Sequence, residues 1–535
     1  MEHSLLHGIQ LVGLVVAGGT FWFALLARWV RLDLEGAGSE RLARQRGRQA
    51  AWAASAAAFA DLFVQVAEIE GRTIFGGVPL PLFASFVTTT AVGQLGLGRC
   101  AALLVLGLAL LSSRLSGWVI AFGSYLVSAV LTASVSHAAA QPTGAFTAVG
   151  LHLLHLVALS AWIGVIFHFW LQRQFWLAPA QHSSWALLLG RFSALALAGS
   201  ICALGTGVIS AVQYVQSIWD LLFSAYGISL VLKLFLVAAI VGAGAFNFLI
   251  AVPHLKRARE ERSPELWCVA AKRFQRSLEF EVTAALLAIA VAGIVASVSP
   301  PGNDRSVTLT GEQVSALLTP KLPPAAFVDP QLFVGDSERN RFDLLYSEFM
   351  HNWSGVGVIL MGCFWLLQGG QGRVAEVATR LWPVTFIPFA LFISIFADPE
   401  VFLLRSVTWR EALSDPVVLE HQFGALLVLL FVWLGWRDRY RIPLHRPLGP
   451  TLPLLMILGS LLLLGHAHAS VRSTQELTNL INVQHAVFGL LGLVAGTTRW
   501  FMLRQLLPLR VARFVWPSAV ILLGVLMTFF YRESV

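Results

Sequence analysis

Fourteen apolar stretches, most of them about 20 residues long, follow one another through this chain with short polar loops between them. No other feature constrains the fold as tightly. Hydrocarbon offers the backbone no hydrogen bonds, so a run that crosses it must satisfy its own amides as a helix. The spans are expected at 8–30, 50–68, 96–113, 117–138, 147–170, 190–213, 225–252 and 276–299, then at 353–369, 380–397, 417–436, 448–468, 481–502 and 513–530. Of the 535 residues, 57% are hydrophobic and 12% charged, which is more apolar surface than a soluble core of that length can hide. The expected fold class is all-α, a polytopic transmembrane bundle of about 14 helices in the lipid bilayer, with no sizeable soluble domain.

Basic residues set the expected topology. Arg31, Arg41, Arg44, Arg46 and Arg48 follow the first span, and Lys256, Arg257, Arg259, Arg262, Lys272, Arg273 and Arg276 follow the seventh. Arg437, Arg439, Arg441 and Arg446, and then Arg504, Arg510 and Arg513, fall on the same side when fourteen helices are counted. That side is expected to be cytoplasmic, and both termini then face outward. The net charge of +8 is thus a topology signal in short loops, not a nucleic-acid surface. The stretch 76–95, with its Pro pair, glycines and Thr run, is expected as an outer re-entrant or interfacial segment, since a span there would break the charge pattern. The opening MEHSLLHG lacks the basic start and small-residue cleavage site of a signal peptide, so the first run is expected to be retained as a helix. Cys100, Cys202, Cys268 and Cys363 are scattered without a C-x-x-C, which supports neither a disulfide framework nor a thiolate metal site.

The Pro-rich piece at 300–350 reads as an outer connector, giving an eight-helix unit at 1–299 and a six-helix unit at 351–535. A faint echo, SLLHGIQLVGL at 4–14 and HLLHLVALSAW at 152–162, places an L-L-H at the outer start of the first and fifth helices.

Ten of the fourteen histidines gather at the outward helix ends: His3, His7, His137, His152, His155, His351, His421, His466, His468 and His485. Membranes penalise unpaired polar side chains, so a repeated placement of imidazoles calls for a cause such as metal or haem ligation. His3 and His7 are four apart and His152 and His155 three apart, so each pair shares a helical face and can chelate a late transition metal, with His137 at similar depth. In the second unit a site built from His466 or His468 with His485 and His421 is geometrically simple, and His351 lies near it with Met350 beside it as a soft donor. Glu420 is a candidate to orient the neighbouring imidazole. Alternatively, His421 and His485 are the axial ligands of a haem b in an electron-transfer protein. A third possibility is an assembly subunit whose imidazoles are only interfacial. Asp61, mid-span, needs a partner, and Lys233 on the seventh span is the expected opposite charge lining a transport path. His182, His254 and His445 fall in cytoplasmic loops and His168 near a cytoplasmic helix end, all expected to be solvated or interfacial.

Three pieces between Leu151 and Arg257 resemble the copper-resistance D (CopD) family of bacterial inner-membrane proteins: HLLHLVALSAWIGV at 152–165, RFSALALAG at 191–199, and YGISLVLKLFLVAAIVGAGAFNFLIAVPHL at 226–255. The last, with Tyr226, Gly227, Lys233, Asn247 and Pro253 in order, is the most specific. FADPE at 396–400, EH at 420–421, GHAHAS at 465–470, QH at 484–485 and the terminal YRE resemble the extra helical region of longer members. The resemblance implies copper as the ligand, multi-pass residence in the bacterial inner membrane, and uptake of periplasmic copper alongside a small periplasmic copper-binding protein. The expected function is to take copper from the periplasm and move it across the membrane, or to deliver it within the membrane to a copper enzyme. No enzymatic activity and no nucleic-acid partner are expected.

Overall fold

Every apolar run expected to cross the bilayer forms a helix, and no strand occurs among the described residues of this computed structural model, which are 2–30, 38–137, 139, 144–173, 182–302, 304–325, 341–439, 450–465 and 474–533. In chain order the helices are α1 (Glu2–Trp29), α2 (Ser39–Ile69), α3 (Leu80–Thr89), α4 (Ala91–Ala109), α5 (Leu115–Ser134), α6 (Ala145–Leu171), α7 (His182–Tyr214), α8 (Ala225–Glu260) and α9 (Pro264–Val295). After the connector helix α10 (Gly311–Leu318) come α11 (Arg341–Gln368), α12 (Arg373–Phe396), α13 (Pro416–Arg439), α14 (Thr451–Gly465), α15 (Gln475–Leu503) and α16 (Leu509–Phe530). Thirteen of these are long and apolar enough to cross a membrane. The fourteenth expected run is α14, whose 15 described residues end at Gly465.

The helices outrun the apolar stretches. α1 begins at Glu2, so His3 and His7 occupy its first two turns. α4 begins at Ala91, so Arg99 lies two turns inside it. α11 begins at Arg341, which carries helix through the last part of the expected connector and puts His351 mid-helix. Charged and polar residues such as Arg, Glu and Gln are good helix formers, so the helix continues past the point where hydropathy stops. Side-chain caps then end it: Ser263 accepts from Leu266 N ahead of α9, with Pro264 at the first helical position, and Ser224 accepts from Gly227 N ahead of α8. The segment expected to lie at the interface is broken as anticipated. α3, at ten residues, spans only about 15 Å at 1.5 Å per residue.

Two spans carry a π-helical turn, Ser160–Gly164 in α6 and Asn247–Ala251 in α8. The first coincides with a close helix crossing. A Cβ on Gly164 would lie 2.3 Å from the Val15 carbonyl oxygen, and one on Gly19 would lie 2.3 Å from the Gly164 carbonyl carbon, so α1 and α6 touch backbone to backbone. Tyr125 donates to Ser160 at 2.8 Å beside this crossing. The second π turn precedes Pro253, whose ring cannot sit under a regular α turn.

The two expected units are not separate in their cores. Leu464 of α14 and Leu480, Val483 and Ala486 of α15 belong to the core of α1–α9, whereas Met456 and Ala495 of the same two helices belong to the core around Trp365, Trp382 and Trp516. The connector is tied to both: Gly302 N donates to Tyr214 O at 2.8 Å, Leu309 N to Phe223 O at 3.0 Å, and Lys321 N to Phe529 O at 2.8 Å.

Gly164→Leu is expected to abolish the native crossing and lower the detergent unfolding midpoint sharply, with a cost at or above the roughly 1–3 kcal/mol of ordinary overpacking. Gly150→Leu on the same helix, where an added Cβ meets nothing within 4 Å, is expected to unfold like the wild type in the same thermal assay.

Candidate functional site

A carboxylate inside a span must find donors, and Asp61 on α2 finds three. Its Oδ1 lies 2.6 Å from His3 Nδ1, and its Oδ2 accepts from Gln65 Nε2 at 3.0 Å and faces Arg99 Nη2 at 3.7 Å. Asp61 is fully buried and the Arg99 side chain is 4% exposed, so this is an interior ion pair. The expected partner was Lys233; the observed one is Arg99. Its position two turns into α4 was hidden when that span was placed at 96–113, which left the arginine at a helix end.

This network forms part of the wall of a cavity of about 420 Å³. Every candidate residue of the first unit lines it: His3 and His7 from α1, Asp61 from α2, His137 after α5, His152 and His155 from α6, and Lys233 from α8. The His3 and His7 rings stack with centroids 6.0 Å apart. His155 Nδ1 is 2.9 Å from Thr206 Oγ1, which itself donates to Cys202 O at 2.8 Å. The hydroxyl proton is committed to the carbonyl, so the imidazole must donate from Nδ1 and keep its lone pair on Nε2. His137, in the turn outside the spans, has a buried Nε2 with no hydrogen-bond partner. Burial pushes its imidazole pKa below the usual value. Among the described residues Lys233 forms no ion pair; its ammonium is the one charge on this wall that Asp61 does not serve.

At the same end of the bundle a second cluster joins α11, α13 and α15. His351 stands with its ring centroid 5.6 Å from His485 and 6.5 Å from His421. Each ring is oriented through Nδ1: His351 on Ser347 O at 2.9 Å, His485 on Ile481 O at 2.9 Å, and His421 on Asp398 Oδ1 at 2.8 Å. Carbonyl and carboxylate oxygens only accept, so Nδ1 donates in each case. Tyr531 stacks on His351 with centroids 4.0 Å apart and donates to Glu533 at 2.7 Å. Glu533 is also bonded to Ser347, and its N–H donates to Glu348 at 2.7 Å. Gln484 clasps Arg532 through two bonds of 2.8 and 2.9 Å. The segments FADPE, EH, QH and YRE, far apart in the chain, thus supply one cluster.

Asp398 is the carboxylate on His421. Glu420, the sequence candidate for that task, is half-buried on α13. His466 and His468 lie outside the described residues, as does His445. Among the described residues, no three His, Cys, Asp or Glu side chains are grouped closely enough to hold a metal ion as they stand. His168 corrects another expectation. It is not solvated but fully buried, its Nε2 shared between Thr20 Oγ1 and Val16 O at 3.1 Å each, because α6 packs it against α1.

Residues 186–295 match the family model described as copper resistance protein D (CopD). The matched stretch spans α7 through α9. The match begins after the His152–His155 helix and reaches past Arg257, where the sequence resemblance ended, to the close of α9. No curated protein and no solved structure matches the chain. With thirteen helices among the described residues long and apolar enough to cross a membrane, the chain is a multi-pass membrane protein.

Asp61→Asn leaves Arg99 buried without its counter-charge and is expected to destabilise the protein by about 3–5 kcal/mol, read as a lowered unfolding midpoint. Adding Arg99→Gln to Asp61→Asn is expected to recover part of that loss, because no lone charge then remains.

Proposed function

We propose that this protein takes copper ions from the periplasmic face of a bacterial inner membrane and passes them across the bilayer, or delivers them within it, without catalysing covalent chemistry. The family of residues 186–295 supports copper as the cargo. The observation that carries the reading is that five imidazoles from five helices, His3, His155, His351, His421 and His485, all engage an acceptor through Nδ1. Metal-binding imidazoles are oriented in this way.

Two imidazoles on one ion, with metal–nitrogen bonds of about 2 Å, hold their centroids roughly 5–6 Å apart. His351 and His485 at 5.6 Å, and His3 and His7 at 6.0 Å, stand near that spacing, so small rotations bring each pair onto an ion. In this reading His351, His421 and His485 capture the ion at one site, and His3, His7, His137, His152 and His155 hold it in the cavity. Asp61 and Lys233 shape the passage. A small periplasmic copper-binding protein is the donor this scheme calls for, and a membrane copper enzyme is an acceptor if delivery stops within the bilayer. The haem reading draws no support from the cluster: bis-imidazole ligation needs two rings on opposite faces of a porphyrin plane, whereas His351 adjoins both His421 and His485 and is itself stacked by Tyr531.

Metal analysis and an absorption spectrum on detergent-purified protein test the proposal together. Copper retained without a Soret band is the expected result; protein that binds no copper sinks the reading, and a reducible Soret band replaces it with the haem one. His152→Ala with His155→Ala is expected to lower copper content and abolish uptake into proteoliposomes. Asp398→Ala, which leaves all ligands in place but removes the acceptor of His421, is expected to weaken copper affinity by about 10–100-fold in a competition titration.

A further inference from the structure

The cavity wall does not end where the cavity does. On α9 the lining residues Ala296, Ala292, Ala288 and Ala285 form one helical stripe, and the next position on that stripe is Glu281. On α8 the stripe Lys233, Val237 and Ile240 continues through Gly244 to Asn247. The two stripes meet: Asn247 Nδ2 donates to Glu281 Oε2 at 2.8 Å, and a Cβ on Gly244 would stand 3.2 Å from Glu281 Oε1. Gly244 therefore leaves the carboxyl its space, and the π turn beginning at Asn247 aims the amide. Glu281 is 3% exposed and lies about 6 Å along the helix axis from Ala285, towards the basic end of the bundle.

Among the described residues nothing neutralises this carboxyl. The charged and imidazole side chains on the elements packed around it are Glu2, His3, His7 and Arg28 on α1, His152, His155 and His168 on α6, Lys233, His254, Lys256, Arg257, Arg259 and Glu260 on α8, and Glu476, His485 and Arg499 on α15, with Arg504 just after it; α14 has none. None of them forms an ion pair with Glu281, and Arg504 is taken by Glu279 on the same helix. Asn247 Oδ1, also buried, meets no donor. A carboxylate with a single neutral partner is costly in this setting, and a carboxylic acid is not. The acid also supplies a donor where Asn247 lacks one.

We propose that Glu281, positioned by Asn247, is a proton-carrying group that couples copper occupancy of the cavity to proton movement. This rests on the copper reading above. A cation entering the cavity favours the carboxylate, so Glu281 releases its proton to water; when the ion leaves, the carboxylate takes one proton back. One O–H bond breaks and one forms per cycle, and no electrons move. The arrangement gives the bundle a polar step between the cavity and its basic end, which the histidines alone do not supply.

The test is a copper titration of full-length protein in weakly buffered detergent solution, with bound copper measured by metal analysis and released protons by a pH-sensitive dye. Glu281→Gln is expected to bind as much copper as the wild type and release about one proton fewer per ion, and Glu281→Asp to behave as the wild type. Equal proton release from wild type and Glu281→Gln overturns this inference and leaves the copper reading standing. Wild-type protein that binds no copper overturns both. Infrared difference spectra of the wild type need no variant: a carboxylic-acid carbonyl band that falls on copper addition is expected, and its absence from copper-free protein refutes the proposal.

Discussion

A charged or hydrogen-bonding side chain inside a bundle of apolar helices cannot face lipid without a large penalty, so it must turn inward and find another polar group. This constraint organises the interior. Asp61 draws His3, Gln65 and Arg99 around it, His421 draws Asp398, and Glu281 draws Asn247. The Asp61 and Glu281 pairings join different helices, and the Asp398 pairing ties the turn after α12 to α13. Small residues let helices approach closely: Gly19 meets Gly164 where α1 crosses α6, and Gly355 meets Gly524 where α11 crosses α16.

The imidazoles follow the same rule in a more specific form. A histidine can satisfy burial with one nitrogen and keep the other for chemistry. Here the satisfied nitrogen is repeatedly Nδ1, on a backbone carbonyl one turn earlier for His351 and His485, on a carboxylate for His3 and His421, and on a hydroxyl for His155. The acceptors differ in kind, so no single local habit of the helix explains the pattern. What the five share is that a buried imidazole is held in one orientation by an acceptor on its Nδ1.

Much of the fold was legible because hydropathy and charge report on the environment directly. The spans and the break in helix near α3 follow from residue type and order. Helix ends were read less well, and the errors there had consequences. Starting the third span at 96 made Arg99 look like an end residue, so Asp61 was given Lys233 as its partner. Glu281 lies inside the span expected at 276–299, but its partner Asn247 shows only in the packed structure. His168 was misplaced for the same reason: proximity to a helix end does not say whether another helix covers it.

The sequence alone determined that this chain is a multi-pass helical membrane protein, that its imidazoles gather at one end, and that residues near 226–255 carry a copper-resistance signature. Those are properties of single helices or short segments, and periodicity, charge and motif encode them locally. Only the tertiary structure decided which polar groups meet. One cavity collects seven side chains from separate segments, four distant motifs close around His351, and the stripes of α8 and α9 run on from that cavity to Glu281 and Asn247. Contacts between helices depend on rotation and crossing, which glycine placement and buried polar pairing set jointly and which no single segment specifies.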